Sequence, residues 1–231
     1  MTSTEPNPPP DAHEPPITRT LSPEGMAALD AVRARRGYTL PYHRLFAAHA
    51  PALLSGYDAF YDALTLAPRV LSPAERETVW ACLLAAAREV HGFIHLKRAR
   101  AAGLDEATLG AAVAIAAVTE SFPVLAFSGE HWAHWTEPGL LERRYRALFA
   151  AASEGVDPAL AHLAAVAAMG AHRHAAGLSL HLRAAFDAGA RADQVCEALS
   201  YLLIPCGGNA LIDAVAVWED GAANGTLPAP Y

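Results

Sequence analysis

The chain has 231 residues, 53% of them hydrophobic, 8% aromatic and 18% charged, which is ample apolar side chain for a real core and excludes wholesale disorder. A formal charge of −7 argues against a standing polyanionic partner, so no nucleic acid is expected. Alanine dominates windows rich in Leu, Arg and Glu, the side chains that lose least on entering a helix, and an all-α fold is expected.

The opening "MTSTEPNPPPDAHEPP" carries neither the basic nor the apolar region of a secretory signal, and residues 1–21 read as a disordered, proline-rich tail. Cys82, Cys196 and Cys206 are too few for a disulfide framework and form no Cys-x-x-Cys, so a cytoplasmic location is expected. Ser22, Pro23 and Glu24 supply an N-cap, an N1 proline and a first-turn acid, and Gly37 supplies a stop, which predicts a helix over 23–36. Its "RARRG" end and the later "RRYRALFAA" read as solvated basic faces. From 42 to 66 the apolar spacing predicts two short helices broken at Pro51, and residues 22–70 form a helical N-terminal extension.

Ser72-Pro73-Ala74-Glu75 is a capping box with proline at N1 and opens a long helix toward Arg88. Gly92 interrupts the next helical pattern, Gly103 ends it, and Asp105 caps a restart. The apolar run 109–118 is too short to span a bilayer and reads as a buried helix, so no membrane partner is expected. "GEHWAHW" interleaves His131 and His134 with Trp132 and Trp135, a pattern of core or interface.

The same grammar returns later, with a stop at Gly189 and a restart near Asp193. His95 and His181, Lys97 and Arg183, Gly103 and Gly189, and Trp132 and Trp218 all stand 86 positions apart, which reads as an ungapped internal repeat. The expected division is a first repeat over 71–135, a connecting helix over 136–155, a second repeat over 156–224 and a C-terminal tail over 225–231.

The segment with His181 opening a helix, Gly189 eight residues on, Glu197, "ALSYLLI", Gly207-Gly208 and "NALIDAVAVW" resembles the carboxymuconolactone decarboxylase family. "HLKRARAAGLDEATLGAAVAIAAV" resembles the alkylhydroperoxidase D-like branch of the same superfamily. The resemblance implies a duplicated alkylhydroperoxidase D-like helical fold and a homo-oligomer, here a trimer or a dimer. In that branch two redox cysteines precede the His by seven and four residues; those places hold Arg88 and His91 in the first repeat and His174 and Gly177 in the second. Neither imidazole nor guanidinium replaces a thiolate and its resolving partner. The branch's glutamate falls on Arg76, and a shift of one residue brings in Glu77.

The leading expectation is a cofactor-free lyase or isomerase acting on a small carboxylated, or lactone, substrate by His-mediated proton transfer. His95, His91 and Glu77 are the expected catalytic residues, with the two histidines stacked at i, i+4 about 6 Å apart. Arg88, Lys97 and Arg98 are the expected carboxylate binders. His181, His174 and Arg183 are their second-repeat counterparts. No cofactor and no metal are expected, although His162, His172, His174 and His181 leave a metal reading open. Two other readings stand beside the lyase: an alkylhydroperoxidase-like antioxidant protein without the thiol pair, and a non-enzymatic oligomeric binding module.

Overall fold

The computed structural model describes residues 20–231, and among them eleven α-helices and no strand make up the fold. The tail expected over 1–21 lies outside the described residues as far as position 19. The chain divides into two compact units at Ala67 and Pro68.

The first unit holds α1 (Pro23–Arg36), α2 (Pro41–His49) and α3 (Pro51–Tyr61), the last running into a π-turn over Asp62–Leu66. The Ser22 hydroxyl accepts the Gly25 N–H, and Gly37 ends α1 in the left-handed region at φ 77°. Pro41 and Pro51 occupy first-turn positions, where a missing N–H costs nothing. A Cβ at Gly25 would lie 2.3 Å from the Ala47 carbonyl oxygen, so α1 and α2 can approach this closely only at a glycine. Leu29, Val32, Ala47 and Leu54 form the core.

The "RARRG" reading needs correction here. The Arg36 side chain is fully buried, donating through Nε to Asp58 Oδ1 at 2.9 Å and lying 3.8 Å above the Tyr61 ring. A guanidinium tolerates burial when a carboxylate and an aromatic face replace its water.

The second unit holds α4 (Pro73–Ala87), α5 (Phe93–Ala101), α6 (Glu106–His131), α7 (Leu140–Ala152), α8 (Pro158–His172), α9 (Ala175–Asp187), α10 (Ala192–Ser200) and α11 (Gly208–Ala223). Helices α4 and α8 pack against each other at its centre, with α6 against both and α9 against α8. Both central helices are enclosed by neighbours, α4 being buried over 77–84 and α8 without a break over 163–170. Helix α4 begins with the expected capping box, Ser72 Oγ accepting the Glu75 N–H while Glu75 accepts the Ser72 N–H.

Helix α4 ends at Arg88 and α8 at Arg173, both left-handed at φ 54°, ψ 39°. Helices α5 and α9 end before Gly103 and Gly189, at φ 87° and 96°. The arginines stand 85 positions apart and the glycines 86, so the segment between is one residue shorter in the first half and the register is not ungapped. The environments also diverge, since Trp218 is buried while Trp132 and Trp135 are 55% and 82% exposed, which places "GEHWAHW" outside the core.

The apolar run 109–118 belongs to a 26-residue helix, α6, the one helix among the described residues long and apolar enough to cross a membrane by length and composition. It buries Ala112, Ile115, Ala116 and Thr119 and exposes Val113, Val124 and Phe127. The end expected as a tail folds back, with Leu227 buried and the Trp218 indole donating to the Pro228 carbonyl at 2.8 Å.

Candidate functional site

In the first half, the chain turns sharply after α4. Arg88 takes the left-handed cap, the Glu89 carboxylate accepts the His91 N–H, and a 3-10 turn over Val90–Gly92 leads into α5. This reversal brings His95 back to Glu77, 18 positions earlier, with His95 Nδ1 2.8 Å from Glu77 Oε2. Both side chains are sealed, at 5% and 0% exposure.

Trp80 stacks on His95 with ring centroids 4.1 Å apart, and Tyr201 stacks on Trp80 at 4.8 Å. The Tyr201 hydroxyl donates to Glu197 Oε1 at 2.6 Å, while the Val70 and Leu71 N–H groups donate to Oε2. Arg76 Nε donates to Glu77 Oε1 at 3.1 Å, so both buried carboxylates have partners on each oxygen. Burial lowers the His95 pKa, and the bond to Glu77 opposes it.

The expected constellation assembles only in part. His91 lies in the 3-10 turn, exposed, and not on the α5 face that carries His95; the i, i+4 pairing fails because the helix begins at Phe93. Arg88 points to solvent and pairs with Glu120 at 3.0 Å. Lys97 is exposed beside the Phe93 ring, and Arg98 is half-buried, close enough to His95 to oppose its protonation. A cleft of about 290 Å³ opens beside Arg88, Phe93 and Leu96, and neither Glu77 nor His95 lines it.

In the second half, α8 carries His162 and α9 carries His181. Their Nδ1 atoms are 3.0 Å apart, and His181 Nε2 is 2.7 Å from the Tyr145 hydroxyl on α7. Phe149, one turn after Tyr145, stacks on His162 at 4.7 Å with the planes 9° apart. Both histidines and Tyr145 line an open cleft of about 410 Å³ with Arg146, Phe149, Ser153, Glu154 and Leu180, His162 half-buried and His181 fully buried.

Burial, then the Arg146 charge, pushes the His162 pKa down to about 4, with Asp187 pulling the other way. Burial, then His162 and Arg146, pushes His181 down to about 3. Burial raises the Tyr145 phenol above its ordinary value. Both imidazoles are therefore neutral near pH 7, and one Nδ1 must carry a proton while the other accepts it. If Tyr145 accepts from His181 Nε2–H, then His162 donates through Nδ1 and its Nε2 offers a lone pair. If Tyr145 donates instead, the order reverses and His162 Nε2 carries a proton. The same triad thus presents a base or an acid through the ring nitrogen outside the pair.

The other candidates lie apart from this triad. His174 caps α9, its Nδ1 accepting the Gly177 N–H, and Arg183 is exposed. His172 sits between Thr119 and Glu120. Of the four histidines of the metal reading, His162 and His181 meet while His172 and His174 have other partners, and among the described residues no group of three or more His, Cys, Asp or Glu side chains is placed to hold a metal ion. Cys82 is sealed, its Sγ donating to the Ala164 carbonyl, and burial raises its thiol pKa.

Sequence reading missed Tyr145, Arg146 and Phe149, having taken their segment as a solvated face. The signal was present as Tyr145 and Phe149 at i, i+4, one buried stripe on an otherwise charged helix. His162 was seen only as a metal candidate, although it stands 19 positions before His181, the spacing that the family's glutamate keeps from its His.

Residues 138–220 match the carboxymuconolactone decarboxylase family, a segment that holds Tyr145, His162, His181 and Glu197 and lies beyond Glu77 and His95. No curated protein and no solved structure matches the chain.

Proposed function

From the match of residues 138–220 to the carboxymuconolactone decarboxylase family we propose a cofactor-free lyase or isomerase whose proton transfers run through His162, His181 and Tyr145. The observation that carries this reading is a neutral, mutually hydrogen-bonded imidazole pair lining a cleft of about 410 Å³, with His162 the more exposed ring. The Glu77–His95 pair has the more familiar chemistry of a carboxylate-oriented imidazole, yet both side chains are buried, both Glu77 oxygens are occupied and neither residue lines the cleft beside Arg88. It fits a clamp between α4 and α5.

Arg146 is the cation for a substrate carboxylate. Its guanidinium pairs with Glu142 at 2.7 Å on the surface, where ion pairs contribute about 1 kcal/mol or less, so a substrate carboxylate can replace that partner. A bound anion beside the pair raises both imidazole pKa values toward neutrality, which brings His162 into the range for acid–base work at pH 7. His162 then takes or delivers the proton at substrate carbon, and the Nδ1–Nδ1 bond with Tyr145 behind it spreads the resulting charge.

Burial of Cys82 and the absence of a paired thiol at Arg88 and His91 favour this reading over thiol-based peroxide reduction. Exposed Val124, Phe127, Trp132 and Trp135 support self-association into a homo-oligomer, which sedimentation of the full chain tests. The recurrent cap geometry at Arg88 and Arg173 supports descent of the two halves from one duplicated unit.

The test of the chemistry is a thermal-melting screen of the full chain against small carboxylates and lactones, where a ligand at a hundred times its Kd adds about 2.7 kcal/mol. Stabilisation lost in both His181→Gln and Arg146→Gln, and kept in Arg88→Gln and Lys97→Gln, is the expected result. Stabilisation that survives the first pair and vanishes with the second would return the site to the first half.

A further inference from the structure

A second cleft, of about 230 Å³, adjoins the first. Tyr145 and Leu180 line both, so the Tyr145 phenol from α7 and the Leu180 side chain from α9 stand as the wall between them. On its far side the second cleft is apolar, walled by Phe122, Leu125 and Ala126 of α6 and Leu140 and Leu141 of α7. Its acidic groups are Glu137 and Glu142, the latter being the carboxylate that pairs with Arg146 of the first cleft.

The two spaces are therefore contiguous and differently equipped. One offers a guanidinium, neutral imidazoles and the Glu154 carboxylate, the other offers hydrocarbon, Glu142 and a Glu137 paired with Arg143 at 3.0 Å. We propose that they form one site for an amphiphilic monocarboxylate, the carboxylate lying at Arg146 and His162 and a straight hydrocarbon chain passing Tyr145 and Leu180 into the second cleft. The inference rests on the reading of the first cleft as the acid–base site and adds a substrate class to it. Leu180, with rotatable bonds and partial exposure, is the side of the wall that yields, since Tyr145 is held by His181 at 2.7 Å and by Phe122 edge-on at 4.8 Å. A second carboxylate at the far end of the chain meets Glu142, left unpaired when the head group takes Arg146, while Glu137 stays paired with Arg143 at 3.0 Å, and the Glu142 charge selects against dicarboxylates.

The experiment is isothermal titration of the full chain at pH 7.5 with acetate, butyrate, hexanoate, octanoate and decanoate, and with octanedioate as the dicarboxylate. Once the chain passes Tyr145, affinity rises about fourfold for each methylene buried. Octanedioate binds at least about tenfold more weakly than octanoate. Ala126→Trp fills the second cleft and flattens the rise at the value of the short acids, and Leu125→Trp does the same should the first variant not fold. A flat series in the unaltered protein overturns the proposal, as does a rise that both tryptophan variants leave intact. Arg146→Gln separates the two readings: equal weakening of every member with the slope retained supports both. An unchanged series in Arg146→Gln removes the head group from the first cleft and overturns the proposal together with Arg146 as the substrate cation, whereas a flat series in the unaltered protein overturns the proposal alone.

Discussion

The two halves of the second unit place an imidazole at corresponding points, His95 and His181, and give it opposite partners. A carboxylate faces the first and an imidazole the second. Glu77 brings a charge that needs both oxygens satisfied when buried, and His95 and Arg76 satisfy them, so the carboxylate has no free oxygen for a ligand. His162 brings no charge, needs one partner at Nδ1, and keeps its other nitrogen for the cleft. The lesson is that the arrangement with the stronger electrostatics is the worse candidate for a site, because saturation and sealing go together.

Among the substitutions, breaking the first pair has the largest expected effect. Glu77→Ala leaves the Arg76 guanidinium and the His95 ring without their acceptor in a sealed environment, and urea unfolding is expected to show a loss of about 3 kcal/mol. His162→Ala, at the edge of an open cleft, costs about 1 kcal/mol by the same measurement, because water enters where the ring stood. Equal losses would erase the distinction between a clamp and a site.

Acid comes next. Native His162 and His181 remain neutral down to about 4 and about 3, whereas the unfolded chain takes up protons below the ordinary histidine value of about 6.5. Their contribution is therefore complete above that value and is lost as pH falls toward 4, at up to about 1.4 kcal/mol per pH unit for each proton. Chemical denaturation between pH 7 and 4.5 measures the slope, and His162→Gln together with His181→Gln lessens it; an unchanged slope would place the acid sensitivity elsewhere, for instance at His43, which burial and Arg36 hold near 4 in the first unit.

A smaller and sharper change converts one half into the other. His162→Glu sets a carboxylate against His181, and the His181 pKa is expected to rise, read from the pH dependence of its ring proton shifts by NMR. The smallest effect belongs to His91→Gln, which alters an exposed turn residue and changes stability by less than about 0.5 kcal/mol in thermal melting.

Much of the fold was legible because its signals are local. The caps at Ser22, Ser72 and Asp105 and the stops at Gly37, Gly103 and Gly189 act within one helical turn, and the helices begin and end there. Glu77 and His95 were legible as a pair only with a shift of one residue, and the structure supplies its cause in the shorter turn after Arg88. His91 was misplaced because Gly92 was read as an interruption within a helix rather than as the turn before one.

Tyr145, Arg146 and Phe149 escaped because their segment is amphipathic and its basic face dominates the reading, while its partners lie 17 and 36 positions beyond Tyr145. Composition, caps and glycine stops act between neighbours in the chain, and they determined an all-α protein with nearly every helix in its place. Which imidazole is sealed and which faces a cleft depends on long-range packing of α7, α8 and α9, where burial selects the partner and the charge state, and only the tertiary structure decided it.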